Sequence, residues 1–262
     1  MNLNLKGKRA LVCGSSQGIG KAVAEELALL GADITLFARN KSALEEVKSS
    51  LNNSAGQQHE ILLADFSKPE EVKKAIDAYL KDGKIISILI NNTGGPKGGP
   101  VINAALSEFV ATFEAHLLVN QLLTQAVFPG MQKQVYGRII NIISTSVKVP
   151  IQGLGVSNTI RGAVASWAKT MANELGPYGI TVNNVLPGYT ETARLDSLLS
   201  SKAQTMGKSE KELADAMKAE IPARRFGTAH EIAASAAFLA SPAAAYINGI
   251  NLPVDGGRTG SL

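Results

Sequence analysis

Short runs of β-branched and aliphatic residues alternate with longer segments whose apolar positions recur at helical spacing, almost from end to end of the 262 residues. The runs predict strands over Arg9–Cys13, Asp33–Phe37, Glu60–Ala64, Ser87–Asn91, Arg138–Ile143, Thr181–Leu186 and Gly249–Val254. Between them the periodicity predicts helices over Gly20–Leu30, Lys41–Leu51, Pro69–Lys81, a broken Ala104–Gln134, Arg161–Leu175 and Ala229–Ala240. Parallel neighbours need a crossover and the crossover is usually a helix, so the rhythm predicts an α/β fold. We expect one doubly wound, mainly parallel, seven-stranded sheet of Rossmann type, with helices on both faces. No linker interrupts residues 1–262, which read as one domain. The least patterned stretch, Thr190–Arg225, is polar, Ala-rich and weakly helical. Ligands of such sheets sit at the carboxyl ends of the strands, so an insertion there reads as a substrate lid or, equally well, as a surface excursion.

Composition narrows the function classes. With 45% apolar and 18% charged residues, the chain is neither disordered nor a coiled coil. Lys plus Arg number 26 against 22 Asp plus Glu, a scattered balance of +4 that points to neither nucleic acid nor a membrane surface as partner. Cys13 is alone, and His59, His116 and His230 have no metal-ligand spacing. No run of 18 apolar residues and no signal-peptide pattern occur, so a cytoplasmic protein without a metal is expected.

After the first strand comes Gly14-Ser15-Ser16-Gln17-Gly18-Ile19-Gly20, leading into a helix. Three glycines there allow a tight turn and close backbone approach to a pyrophosphate, which the free N–H groups of a helix N-terminus favour. A plain structural turn explains them too. Gly14-x-Ser16-x-Gly18 also matches the nucleophile elbow of serine hydrolases. A nucleotide P-loop fails, because the glycine spacing before Lys21 is one residue too long and Ala22 stands where Ser or Thr is required.

The rest of the chain separates these readings. Gly14-x-x-x-Gly18-Ile19-Gly20, Asp65, Asn91-Asn92-Thr93-Gly94, Asn183-x-x-x-Pro187-Gly188 and Asp255-Gly256-Gly257 stand in order at successive strand ends. In this the chain resembles the short-chain dehydrogenase/reductase family over its whole length, and looks most similar to the 3-oxoacyl-carrier-protein reductase-like branch. The resemblance implies a glycine loop, Gly14 to Gly20 with Ser15, Ser16, Gln17 and Ile19, around the pyrophosphate. It implies Asp65 at the adenine, Asn92 and Gly94 beneath the adenosine, and Pro187, Gly188 and Thr192 at the nicotinamide amide. Thr93 stands where the family usually has alanine. Family tetramers imply a homo-oligomer, a tetramer or dimer, with the Ala-rich Arg161–Leu175 helix as a candidate interface that core packing explains equally. At the end of the second strand, Phe37-Ala38-Arg39-Asn40 carries an Arg and no carboxylate, which favours the 2′-phosphate of NADP(H) over NAD(H).

Four catalytic positions are implied by the resemblance: a serine, a tyrosine whose pKa a lysine lowers, and an asparagine that supports a proton relay. Only the serine, Ser144, is retained. Ungapped alignment places Ser157 at the tyrosine, Arg161 at the lysine and His116 at the asparagine. A serine hydroxyl is a poor general acid and a guanidinium does not give up its proton. His116 is therefore the candidate acid, since imidazole titrates near neutrality, with a packed helix histidine as the competing reading. Tyr189 is expected to line the cofactor pocket and Cys13 to be an apolar strand residue. Hydride transfer between NADP(H) and a small carbonyl or alcohol is the expected function. The competing reading is a cofactor-binding sensor or assembly partner with little catalysis.

Overall fold

In the computed structural model, which describes residues 1–261, the seven strands form one all-parallel sheet in the order β3-β2-β1-β4-β5-β6-β7. They span Arg9–Cys13 (β1), Asp33–Ala38 (β2), Glu60–Leu63 (β3), Ile88–Asn91 (β4), Gly137–Ile142 (β5), Ile180–Pro187 (β6) and Asn251–Val254 (β7). All seven expected strands exist, with ends shifted by one or two residues. Side chains on a strand point alternately to its two faces, so Ala10 and Val12 enter one core and Leu11 and Cys13 the other.

Helices cover both faces. Gly18–Leu29 (α1), Lys41–Ser50 (α2) and, near the end of the chain, Ala229–Ala240 (α9) bury Ala24, Leu27, Leu44, Ala233 and Ala236 against one face. Pro69–Leu80 (α3), Val119–Lys133 (α5) and Gly155–Leu175 (α6) bury Ile76, Leu123, Val127 and Ala168 against the other. The expected helix break falls between Leu106–Phe113 (α4) and α5, where Glu114–Leu118 form one π-helical turn carrying His116. Such turns concentrate at functional sites. Helix α6 begins six residues before the expected Arg161 start, which places Ser157 and Arg161 one turn apart on the same helix.

The weakly patterned stretch contains two helices that the polar composition concealed, Ala193–Met206 (α7) and Glu210–Ala219 (α8). Leu195, Leu199, Ala203, Leu213, Met217, Ile221 and Phe226 pack as a cluster of their own. The two ends of the segment are pinned together where Glu191 N–H donates to Gly227 C=O (2.8 Å) and Gly227 N–H to Tyr189 C=O (2.9 Å).

Across the interior of β4 to β7 runs a polar ladder. Asn91, Asn141, Asn184 and Asn251 stand in register, each amide donating 2.8 Å to the next carbonyl oxygen. Such a chain fixes the strand register, because a one-residue slip would leave each buried amide unpaired. Among the described residues no helix is long and apolar enough to cross a membrane.

Candidate active site

Strand order reverses at β1, which pairs with both β2 and β4, and the loops leaving β1 and β4 open into a crevice there. At the end of β1 the chain turns at Gly14 with φ +60°, and Gly14 N–H donates to Phe37 C=O at 2.8 Å. The Ser15 hydroxyl points inward, fully buried, and accepts from Phe37 N–H at 3.0 Å. Ser15 thus anchors the loop to β2. Gln17 precedes α1 in extended conformation with no side-chain cap, so the first-turn N–H groups remain free to bind an anion.

Glycine is required here by contact. A Cβ on Gly14 would lie 2.5 Å from the Asn92 carbonyl oxygen, and one on Gly20 would lie 2.2 Å from the Gly14 carbonyl oxygen. Asn92 Nδ2 in turn donates to the Cys13 and Gly14 carbonyls, 3.3 Å each, stapling the β4 loop to the glycine loop. Gly20→Ala is expected to force the loop open at a cost of about 1–3 kcal/mol, lowering the melting temperature and weakening dinucleotide binding roughly 10–100-fold. A variant that melts and titrates like the parent would show that the loop is looser than its contacts imply.

A cavity of about 560 Å³ fills the crevice. Of the expected cofactor residues it is lined by Gly14, Gln17, Gly18, Ile19, Asn92, Gly94, Pro187, Gly188 and Thr192. Ser15 and Gly20 are buried behind the loop surface and Ser16 is half-buried outside the lining, while Arg39 and Asp65 stand at the ends of β2 and β3 outside the cavity. Arg39 lies 3.5 Å from the Asp65 carboxylate and is 77% exposed. The carboxylate missing from the end of β2 is thus supplied by β3. Hydrogen bonds from the Ser67 N–H and hydroxyl, with Arg39 contributing less, hold the Asp65 carboxyl below its usual range.

Ser144, Ser157 and Arg161 line this cavity together, and Tyr189 does so with its ring against Arg258 and Phe226. The Ser144 Oγ accepts from Ser146 N–H at 3.1 Å, which leaves its own proton free to donate into the cavity. Arg161 is 8% exposed, its Nη1 donating 2.8 Å to Ile142 C=O.

His116 departs from expectation. It does not line the main cavity but a small adjoining one of about 10 Å³, behind Thr93 and Arg161. Its ring lies 3.2 Å from Thr93 Oγ1. Burial, reinforced by the positive charge of Arg161, lowers its pKa to about 3. Burial thus favours the uncharged imidazole at neutral pH, which argues against an imidazolium acid at this position. Cys13 is buried, and burial pushes its thiol pKa upward, in keeping with an apolar role.

A seven-stranded doubly wound sheet with a glycine-lined crevice at its reversal point is the architecture of nicotinamide-dependent oxidoreductases. The family described as "Enoyl-(Acyl carrier protein) reductase" matches residues 14–259. The chain belongs to the short-chain dehydrogenase/reductase family. It is 35% identical to the 3-oxoacyl-[acyl-carrier-protein] reductase FabG of Vibrio cholerae, over 97% of this chain and 98% of that protein. Gluconate 5-dehydrogenase of Gluconobacter oxydans is 31% identical, over 99% of this chain and 97% of that protein. The L-sorbose reductase of Gluconobacter frateurii, solved with NADPH and L-sorbose, superposes with a TM-score of 0.93 at 29% identity, covering 100% of both chains.

Arg194 escaped the sequence reading. It lies in the first turn of α7, inside the stretch read only as lid or excursion, and it lines the same cavity as Arg161.

Proposed function

We propose that the chain is an NADP(H)-dependent oxidoreductase acting on a carbonyl, or the corresponding secondary alcohol, of a small molecule. The observation that carries this is the glycine loop: Gly14 and Gly20 pack against Asn92 and against each other too closely for any Cβ, which brings main chain and the uncapped N–H groups of α1 to the wall of the cavity. A pyrophosphate fits that chemistry. Gly14, Gln17, Gly18 and Ile19 would hold it, Asn92 and Gly94 would support the adenosine half, and Pro187, Gly188 and Thr192 the nicotinamide half. When bound, NADPH supplies the hydride. Relatives with bound NADPH support the choice of cofactor, among them the L-sorbose reductase.

The Ser144 hydroxyl donates to the substrate carbonyl oxygen and to the alkoxide that forms, in the positive field of the buried Arg161. Ser157 contributes surface rather than a proton. The chain thus differs from its relatives in how the proton arrives, and slow turnover is the expected consequence. In this reading residues 190–225 act as a lid, because Thr190 to Leu195 and Leu198 wall the cavity on that side. The reading also includes a single-domain cytoplasmic enzyme that assembles into dimers or tetramers. Support for assembly comes from exposed Ile102, Leu106 and Val110 around α4. Support for the compartment comes from the one buried, unbridged thiol, Cys13.

Cofactor titration followed by NADPH consumption over ketones, aldehydes and β-keto thioesters tests the proposal. Arg39 is mobile enough to leave Asp65 for a 2′-phosphate, since an exposed ion pair contributes at most about 1 kcal/mol. Arg39→Ala is therefore expected to weaken NADPH about tenfold and leave NADH unaffected. Equal loss for both cofactors would remove Arg39 from the 2′-phosphate site. Binding without turnover on any substrate would favour the sensor reading.

A further inference from the structure

The cavity carries positive charge that the fold leaves without a counter-ion. Arg161 is buried beneath it and, although burial and the like charge of Arg194 lower its pKa to about 10, it remains protonated at neutral pH. Arg194 is exposed at the mouth of the cavity, where its Nη2 donates 2.7 Å to Pro96 C=O. The two guanidinium groups converge on Gly95: a Cβ there would lie 3.7 Å from Arg194 Nη2 and 3.9 Å from Arg161 Nη2. Among the described residues neither has a carboxylate within ion-pair distance. Arg258, also in the lining, is 3.6 Å from Glu220. The one carboxylate of the lining, Glu191, interacts with Arg225 instead.

The buried Arg161 guanidinium is unfavourable unless an anion pairs with it, and the like charge of the solvent-facing Arg194 beside it adds to that demand. Planar guanidinium forks match a carboxylate. Next to this charged corner the wall is apolar, formed by Ile143, Ile151, Leu154 and Leu198.

We infer that the substrate is an oxo acid with an apolar tail, its carboxylate seated beside Gly95 between Arg161 and Arg194 and its tail along Ile143, Ile151 and Leu154. This rests on the oxidoreductase reading above. With NADPH bound as the hydride source, the ketone carbon would gain the hydride and its oxygen, left as an alkoxide, would take up one H⁺ from solvent, so that ketone, NADPH and H⁺ are consumed together. The products are a hydroxy acid and NADP⁺. The absence of the family tyrosine and lysine is consistent with this arrangement, because a carboxylate held by two cations fixes the ketone before any acid is engaged.

The test compares acids with neutral counterparts of the same shape. NADPH affinity of the parent and of Arg194→Met is measured by fluorescence. NADPH consumption is then followed with 2-oxo-4-phenylbutanoate and 4-oxo-4-phenylbutanoate, each against its methyl ester. Calorimetry on the NADPH complex compares 4-phenylbutanoate, which cannot be reduced, with 4-phenylbutanamide. For at least one pair we expect kcat/KM to favour the acid about tenfold or more, with 4-phenylbutanoate binding at least about tenfold tighter than the amide. In Arg194→Met both preferences should fall toward unity while NADPH affinity stays within about twofold of the parent. Parent enzyme that binds NADPH but shows no preference for the carboxylate in calorimetry overturns the inference, whether or not either substrate turns over. A loss of NADPH affinity of about tenfold in Arg194→Met also overturns it, assigning the arginine to the cofactor phosphates. Failure of the parent to bind NADPH would instead remove the oxidoreductase reading on which the inference stands.

Discussion

Acid is expected to destabilise this protein through His116, and His116→Asn is expected to remove most of that sensitivity. The folded-state pKa of about 3 lies below the unfolded value near 6.5, so between these pH values the unfolded chain binds a proton that the folded chain refuses. Stability therefore falls as pH drops from about 6.5 toward 3, by about 5 kcal/mol in full and about 3 kcal/mol at pH 4.5. Above pH 6.5 both states carry neutral imidazole and the residue contributes no pH dependence. Urea unfolding at pH 7.5 and 4.5 measures the difference. If the stability gap between parent and His116→Asn is the same at both pH values, the histidine is not buried neutral. For the same reason the cofactor-saturated rate should show no His116 inflection near pH 6.5.

Ser144→Ala is expected to lower kcat about 10²–10³-fold while NADPH still titrates. Ser144 follows β5 in extended conformation and caps the short turn Thr145–Val147, so its Oγ is held by rigid backbone on both sides. With one lone pair engaged by Ser146 N–H, the hydroxyl proton has the cavity as its outlet. Ser157 cannot take over this role with comparable effect unless it reaches the same oxygen. Steady-state kinetics on Ser144→Ala, Ser157→Ala and the double variant separate the cases: a parental rate in Ser144→Ala would take that serine out of the reaction.

Much of the fold was legible because it rests on local signals. Strand β1 and the glycine loop announce themselves, since an apolar run followed by close-set glycines has few physical uses. The 190–225 segment read only as weakly helical and its two helices were not delimited, although Leu195, Leu199 and Ala203 recur at four-residue spacing, as do Leu213 and Met217. Their surrounding Lys, Glu and Ser masked a narrow apolar stripe that packs mainly within the segment and on Tyr189 and Phe226 at its ends. The Arg39–Asp65 pair could not be read either, because it needs β2 and β3 side by side in parallel register. For His116 the alignment gave the position but not the environment. Whether an imidazole is an acid at pH 7 depends on burial and on Arg161, and both are products of the folded chain. Arg161 and Arg194 are 33 positions apart in sequence, and only the fold brings them to one glycine.

The pinch between Tyr189, Glu191 and Gly227 has a consequence for how this scaffold diversifies. A segment closed at its base by two backbone bonds, with its own apolar centre, behaves as a cassette. The joint at residues 189 and 227 is made of main-chain atoms that any sequence provides, whereas Arg194 on Pro96 C=O and Glu220 beside Arg258 are side-chain ties that depend on the residues present. Arg194 travels with that cassette while Arg161 stays with the frame. A different insert between residues 189 and 227 would therefore offer a different partner to the same fixed guanidinium.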